Sequence, residues 1–202
     1  MNASHTGDRN SVLLFAFALL AGCVLRCWNI TQSFWWDEIW STLPYAKAHS
    51  VWRIFTDLGY YFNNHLLNSL LVRYSIKVFG ESELAARLPA LIMGLLAITA
   101  VFYFGTRFLG ASCAGIAALL LAISPFHIDH SSEARGYSGL ALFSILSSLY
   151  FLRGMKANEA RSWIFYICFT VLGFCSHVFM VAVSVSQFFF SLLLMFVIKW
   201  LP

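Results

Sequence analysis

Two adjacent carboxylates, Asp37 and Glu38, lie in the segment SFWWDEIWS at residues 33–41, directly after the first long apolar run of the chain. Three tryptophans flank them: Trp35, Trp36 and Trp40. A carboxylate can serve as a general base, and tryptophans are typical of the membrane headgroup layer. The segment is therefore a candidate active site at a membrane edge. The simpler alternative is an acidic first helical turn, which the helix dipole favours.

A second group of ionisable side chains lies at the edges of other apolar runs. Arg87 precedes one run, SSEARGY at 131–137 contains Glu133, Arg135 and Tyr137, and His177 separates the last two runs. Because arginine can pair a phosphate through two hydrogen bonds, these residues are candidates for binding a phosphate-bearing substrate. The alternatives are interfacial snorkelling of Arg87, a structural ion pair of Glu133 with Arg135, and an ordinary membrane-edge role for His177.

The segment HIDHSSE also allows a divalent metal. His127, His130 and Glu133 are spaced three residues apart and would lie loosely on one face of a helix. Such spacings often arise by coincidence, so the metal is an open alternative and no other cofactor is expected. The five cysteines all lie inside apolar runs, which favours packing roles over disulfides or zinc binding.

Composition identifies the broad class of protein. The chain has 202 residues, of which 60% are hydrophobic and 11% charged, and its mean hydropathy is +0.75. Soluble domains carry about 25% charged residues, so the sequence predicts an all-α polytopic membrane protein with a single transmembrane domain over residues 1–202. The net charge of +4 is small and scattered, which argues against nucleic acid as a partner.

Six apolar runs are long enough, or nearly so, to span a bilayer core, which takes about 17–25 helical residues. They are 11–28, 88–106, 111–126, 136–152, 162–177 and 178–198. The stretch 64–79 is apolar at helical spacing but carries Arg73 and Lys77, so it is predicted to be an interfacial amphipathic helix.

The basic residues predict the orientation. With the N-terminus inside, the short cytoplasmic connections hold Arg107 and the group Arg153, Lys156 and Arg161, with Arg9 and Lys199 near the two ends, as expected for short loops. The long first outer loop is then 29–87, with interfacial helices, and the second is about 126–135. LLAGC at 19–23 also resembles a lipoprotein cleavage site at Cys23, but a first transmembrane helix would have the same pattern.

Three segments together resemble a known family. FWWDEIWS, NNHLLNSLLVRYSIKVFGESELAARLPALIMGLLAI and SPFHIDHSSEARGYSGLALFSIL look like the N-terminal half of polyprenyl-phosphate-sugar-dependent membrane glycosyltransferases of superfamily C. These are related to protein O-mannosyltransferases and lipid A aminoarabinose transferases. The resemblance runs from about 11 to 198. It matches His65 to the histidine of an HPP motif that contacts substrate, although this chain reads His65-Leu66-Leu67 there.

The resemblance implies a role for each matching residue. Asp37 would be the general base that activates an acceptor hydroxyl, with Glu38 as its partner. Arg87 would contact the lipid phosphate, and Glu133 and Arg135 would lie near the donor phosphate. The reaction would invert the anomeric configuration of the transferred sugar.

The implied partners are a polyprenyl-phosphate sugar donor, membrane lipids, and a protein, lipid or glycan acceptor. The active face would be on the extracytoplasmic side of the plasma membrane. Two alternatives remain. The chain could be a truncated or split non-catalytic relative that needs a second polypeptide, or it could be a transport or lipid-binding module. A transporter would be expected to carry ionisable residues in mid-span.

Overall fold

The computed structural model describes residues 3–28, 30–56 and 64–200, with side chains from residue 9 to residue 196 of these ranges. All regular structure in this part of the chain is helical, which confirms the predicted all-α membrane class. The helices, in chain order, are α1 Ala3–Cys27, α2 Trp36–Ser41, α3 Leu43–Ala46, α4 Trp52–Thr56, α5 Leu66–Phe79, α6 Glu83–Phe108, α7 Ala111–Ile123, α8 Pro125–Ser131, α9 Tyr137–Ala157, α10 Ala160–Ser176 and α11 Met180–Trp200.

The central helix α6 begins earlier than the apolar run alone predicts. Ser82 caps it by accepting a hydrogen bond from the backbone N–H of Ala85 at 3.2 Å. Pro89 therefore lies inside the helix, where it cannot donate to the carbonyl of Ala85. The hydroxyl of Ser75 donates to that carbonyl at 2.5 Å instead, which joins α5 to α6.

The helices pack around α6 through small side chains. α6 and α9 meet at Met93, Ala97, Ala100, Leu142 and Phe143. α1 and α7 pack on another face of α6 through Ala18, Ile98, Ala118 and Ala122. Small residues let helix backbones approach closely, as is common between membrane helices. α11 lies at the edge of the bundle against α9 and α10.

Three of the six predicted spans, 11–28, 88–106 and 136–152, correspond to single long apolar helices. Within the described residues, three helices are long and apolar enough to cross a membrane, namely α1 from Arg9, α6 and α9. The count is four if α7 and α8 form one broken span. α10 and the Met180–Phe196 part of α11 are apolar but shorter than 18 residues, so each is about 26 Å long at 1.5 Å per residue.

The predicted span 111–126 is not one continuous helix. The helix ends at Ile123, and α8 starts at Pro125 with a bend of 63° between the two axes. Most of the predicted second outer loop, 126–135, is therefore α8 followed by a short turn. The first backbone N–H groups of a helix have no carbonyl partner within it. Proline has no backbone N–H, so Pro125 is well suited to the start of α8.

Arg26 lies beside this break and is fully buried. Its Nη1 donates to the carbonyls of Gly22 at 2.8 Å and Ala122 at 3.0 Å. Its Nη2 lies 2.5 Å from Nδ1 of His127 in α8. The guanidinium therefore satisfies a carbonyl in the last turn of α7 and holds α1, α7 and α8 together.

Candidate active site

A buried ion pair joins the first loop to α6. Nε and Nη2 of Arg87 donate to the two carboxylate oxygens of Glu38 at 2.9 and 2.7 Å. The exposed fractions of the two side chains are 2% and 0%. Such a pair is stable in a low-dielectric interior only when both partners stay and their other hydrogen-bonding groups are satisfied.

The remaining N–H groups of Arg87 meet that condition. They donate to the backbone carbonyls of Ile30 at 2.9 Å, Gln32 at 2.6 Å and Ser33 at 3.2 Å. The guanidinium also lies over the ring of Phe34, with 5.3 Å from Cζ to the centroid. All five N–H donors of Arg87 are thus used, and the residue fixes the backbone before α2 rather than presenting a free cation.

Glu38 accepts two further hydrogen bonds, from backbone N–H groups. One comes from Trp35 at 2.9 Å, which caps the start of α2, and the other comes from Ala134 at 2.6 Å. The hydroxyl of Thr42 donates to the carbonyl of Ala134 at 2.6 Å. Both polar groups of residue 134 are therefore held by the first loop, and the two outer segments form one structure.

Asp37 lies on the other side of α2 and is accessible. Its side chain is 60% exposed, and its Oδ2 accepts a hydrogen bond from Nη1 of Arg135 at 2.8 Å. Arg135 itself is 8% exposed. Its Nη2 donates to the Tyr137 hydroxyl at 3.3 Å, and its Nε has no partner among the residues that the structure describes. A buried arginine with a spare donor thus lies beside an exposed carboxylate.

Aromatic rings continue from Arg135 into the helix bundle. Tyr137, at the start of α9, lies 4.5 Å from His177, 4.4 Å from His130 and 5.6 Å from His65, centroid to centroid. The His65 and His177 rings are 5.0 Å apart. The guanidinium of Arg135 lies 4.8 Å from the Tyr137 centroid.

The tautomers and charges of His65 and His177 follow from their partners. Nδ1 of His65 donates to the carbonyl of Ser176 at 3.1 Å, which leaves Nε2 with a lone pair. Nδ1 of His177 accepts from the backbone N–H of Phe179 at 3.0 Å. Burial, and then the nearby His177, lowers the pKa of His65 to about 4. Burial, and then Arg135, also lowers the pKa of His177, so both imidazoles are neutral at pH 7.

A cleft of about 240 Å³ lies beside these groups. Its lining residues are Gln32, Trp35, Arg87, Asp129, Ser132 and Glu133. Burial raises the pKa of Glu133, and the positive charge of Arg135 opposes that shift. The carboxylate lies 3.7 Å from Nδ1 of His130. The cleft can therefore hold a polar molecule between a tryptophan and a carboxyl group.

The proposed metal ligands do not converge. His127 faces Arg26, whereas His130 faces Tyr137 and Glu133. Within the described ranges, no group of three or more histidine, cysteine, aspartate or glutamate side chains could hold a metal ion. Nor do Glu133 and Arg135 form the ion pair considered from the sequence, since Arg135 pairs with Asp37.

The structure thus places the predicted site residues in three adjoining groups. Asp37, Arg135, Tyr137, His65 and His177 form one group, Glu38 and Arg87 form the buried pair, and Glu133 lines the cleft. Thr42 was missed because nothing in the sequence relates its hydroxyl to a carbonyl 92 residues away. The ring of His130 was considered only as a metal ligand.

Comparison with protein-family models agrees with these features. The model described as dolichyl-phosphate-mannose-protein mannosyltransferase matches residues 65–201, more than half of the chain. The match includes His65, Arg87, Glu133 and Arg135, whereas the Asp37-Glu38 segment precedes it. Comparison with curated proteins and with solved structures gave no match.

This family implies glycosyltransferase activity, a polyprenyl-phosphate sugar donor and a membrane location. Apolar helices and the polar site at their ends fit that description. The chain belongs to the dolichyl-phosphate-mannose-protein mannosyltransferase family.

Proposed function

We propose that the chain transfers a sugar from a polyprenyl-phosphate donor to an acceptor hydroxyl, with inversion at the anomeric carbon and Asp37 as general base. The observation that carries the proposal is the exposed Asp37 carboxylate, held 2.8 Å from the buried guanidinium of Arg135. A base must reach the acceptor from solvent, and the donor phosphate needs a nearby cation. This arrangement supplies both on one side of α2.

Asp37 fits the base role better than its neighbour Glu38. The Glu38 carboxylate is fully buried and accepts bonds from Arg87, Trp35 and Ala134. It has no exposed surface from which to take a proton. Glu38 and Arg87 therefore act as positioning residues, which hold α2 so that Asp37 faces the acceptor.

Arg135 is the better phosphate ligand because Arg87 has no free donor. The Nε of Arg135 lacks a partner among the described side chains and backbone groups. As the acceptor oxygen bonds to the anomeric carbon, the bond from that carbon to the phosphate oxygen breaks. The acceptor proton moves to Asp37, and the negative charge that develops on the phosphate is met by Arg135.

The neutral histidines and Tyr137 surround this arginine and supply neutral hydrogen-bonding groups. With Nδ1–H of His65 directed at Ser176, its buried Nε2 has no partner among the described groups, so His65 acts on the site through the ring of Tyr137 that it contacts. We place the sugar near the cleft, where Trp35 offers a ring face and Glu133 a carboxyl group. The basic residues of the short connections at the opposite helix ends, Arg107, Arg153, Lys156 and Arg161, favour an extracytoplasmic active face at the plasma membrane.

The test uses the purified chain in nanodiscs with radiolabelled polyprenyl-phosphate sugars, and it measures donor binding and slow donor hydrolysis. Asp37→Asn removes the base at nearly constant volume, so turnover should fall by at least about 100-fold while donor binding is kept. Glu81→Gln, an exposed carboxylate paired with Lys47 in the same loop, is the matched control and should leave turnover unchanged.

The outcomes separate the alternatives. Turnover of Asp37→Asn near the wild-type rate removes Asp37 from the base role. Saturable donor binding without turnover in the wild type indicates a lipid-binding module. No donor binding indicates that function needs a second polypeptide or has been lost in this relative.

A further inference from the structure

A second polar pocket lies at the opposite end of the bundle from the proposed active site. Its volume is about 460 Å³, and it is lined by Tyr103 of α6, the end of α9, and the start of α10. The lining residues beyond Tyr103 are Tyr150, Arg153, Lys156, Ala157, Glu159, Arg161 and Ser162. Arg87 and Tyr103 are 16 residues apart on α6, so the two sites are separated by about 24 Å along this helix.

Two guanidiniums converge on one phenol at the wall of this pocket. Nη2 of Arg153 donates to the Tyr103 hydroxyl at 2.9 Å, and Nη2 of Arg107 lies 3.4 Å from the same oxygen. Both cations lie over the Tyr103 ring, with 5.5 and 5.1 Å from Cζ to the centroid. Arg153 also lies over the ring of Tyr150, at 5.4 Å. Stacking on aromatic faces holds these like charges side by side.

The cations of this pocket form no ion pair with a carboxylate of the described residues. Arg153, Lys156 and Arg161 line the pocket with one carboxylate, Glu159. Throughout the described part of the chain, the ion pairs join Lys47 to Glu81, Arg87 to Glu38, His130 to Glu133 and Arg135 to Asp37. None of them includes a pocket residue. An anion in the pocket would reduce the repulsion among these cations and use their spare N–H groups.

The surroundings indicate an anion that belongs to a lipid. Large apolar side chains near the pocket are exposed: Phe108 by 43%, Leu109 by 64% and Ile164 by 59%. Because Phe108 and Leu109 lie at the end of α6 and Ile164 lies near the start of α10, the pocket lies where a lipid-facing surface meets the headgroup layer. A lipid could therefore place its charged headgroup in the pocket and its chains along the helices.

We infer that this pocket binds the phosphate group of an anionic membrane lipid, in the leaflet opposite the proposed active site. Arginine forks match phosphate oxygens, and basic pockets between helix ends are typical sites for such headgroups. Ser162, at the start of α10, adds a hydroxyl to the lining. The inference does not depend on the proposed transfer reaction.

The test measures lipid retention by native mass spectrometry of the full chain. The protein is exchanged into nanodiscs of phosphatidylcholine that contain graded phosphatidylglycerol, and the apparent affinity for each lipid is read from the bound fractions. The wild type should retain phosphatidylglycerol in preference to phosphatidylcholine. The double variant Arg153→Gln/Arg161→Gln should weaken phosphatidylglycerol binding by about tenfold or more.

Two matched variants keep the result interpretable. Lys47→Gln/Lys77→Gln removes the same charge outside the pocket, and it should leave the affinity unchanged. Arg153→Lys/Arg161→Lys alters the same two positions but keeps the charge, so it should retain most of the binding. Retained binding in this variant shows that the weaker binding of Arg153→Gln/Arg161→Gln does not come from lost folding. The inference is overturned if both double-glutamine variants weaken binding equally, or if the wild type does not distinguish the two lipids. Competition by millimolar inorganic phosphate would instead identify a site for a soluble anion.

Discussion

Glu38 shows how one buried side chain can organise the backbone around an exposed carboxylate. It neutralises Arg87, caps α2 through Trp35 and holds the backbone of Ala134. The neighbouring Asp37 is free to face solvent because Glu38 already satisfies these groups. The two adjacent carboxylates therefore have different roles, which follow from their burial.

Glu38→Gln tests this role because it keeps the shape of the side chain but removes its charge. Arg87 would remain buried as an unpaired cation, and breaking a buried pair typically costs about 3–5 kcal/mol. We expect a clearly lower thermal unfolding midpoint in detergent, measured by intrinsic fluorescence.

The exposed pair of Lys47 with Glu81 provides the comparison. Its side chains are 47% and 69% exposed, so Glu81→Gln should cost at most about 1 kcal/mol. Equal effects of the two glutamine variants would contradict a special structural role for Glu38.

At the scale of helices, the break between α7 and α8 sets the direction of the segment that carries Glu133 and Arg135. Arg26 supplies N–H groups to Ala122 before the break and approaches His127 after it. The Ser132 hydroxyl also reaches the carbonyl of Arg26, at 3.3 Å. Residues at the end of α1 therefore hold both sides of the bend.

Arg26→Met should loosen this bend, because the methionine fills similar space without donating to any carbonyl. A buried carbonyl left unsatisfied costs about 1–3 kcal/mol. Amide hydrogen exchange over residues 123–132 should become faster, whereas exchange over α9 should change little. Lys77→Met, on the exposed side of α5, is the control. Unchanged protection of 123–132 in Arg26→Met would show that the break is stable without the guanidinium.

The sequence predicted local helices better than breaks between them. The amphipathic helix expected at 64–79 appears as Leu66–Phe79, since its apolar period and flanking polar residues are local signals. The break at Ser124-Pro125 was missed because the apolar run continues through it and hydropathy alone does not register a bend. The residue that stabilises the break, Arg26, is 96 residues from Ala122 in the chain.

The candidate site shows the same difference between local features, which the sequence reveals, and long-range contacts, which it does not. Asp37, Glu38, Arg87 and Arg135 stand out by residue type beside apolar runs, and the sequence was sufficient to select them. Their partners could not be predicted from it, because Arg87 donates to main-chain carbonyls whose position depends on the folded loop. Side-chain type identifies ionisable candidates, but backbone groups decide which of them remain free.

At the scale of the whole molecule, α5, α9 and α10 meet at a junction that contains His65. A Cβ on Gly136 would clash with the Ser176 carbonyl and lie 2.9 Å from Nδ1 of His65, so the three helices are in close contact there. The junction excludes water from His65, and this exclusion is the main reason for its low pKa.

This junction predicts a loss of stability in mild acid. The pKa of His65 is about 4 in the folded chain and 6.5 unperturbed, so the unfolded chain binds the proton more tightly. The stabilisation is complete above pH 6.5 and is lost as the pH falls towards 4, by about 1.4 kcal/mol per unit. The thermal unfolding midpoint should therefore fall between pH 7 and pH 5. His65→Gln should show a smaller fall, and an identical fall would assign the effect to other groups.

The contact between Glu38 and Ala134 also has a consequence for biosynthesis. These residues are 96 positions apart, and ribosomes add about 5–20 residues per second. The first outer loop therefore emerges roughly 5–20 s before the peptide that completes its fold has been made. During that interval the carboxylate of Glu38 can already meet Arg87, which is made earlier, but the backbone N–H of residue 134 that completes its hydrogen bonds does not yet exist.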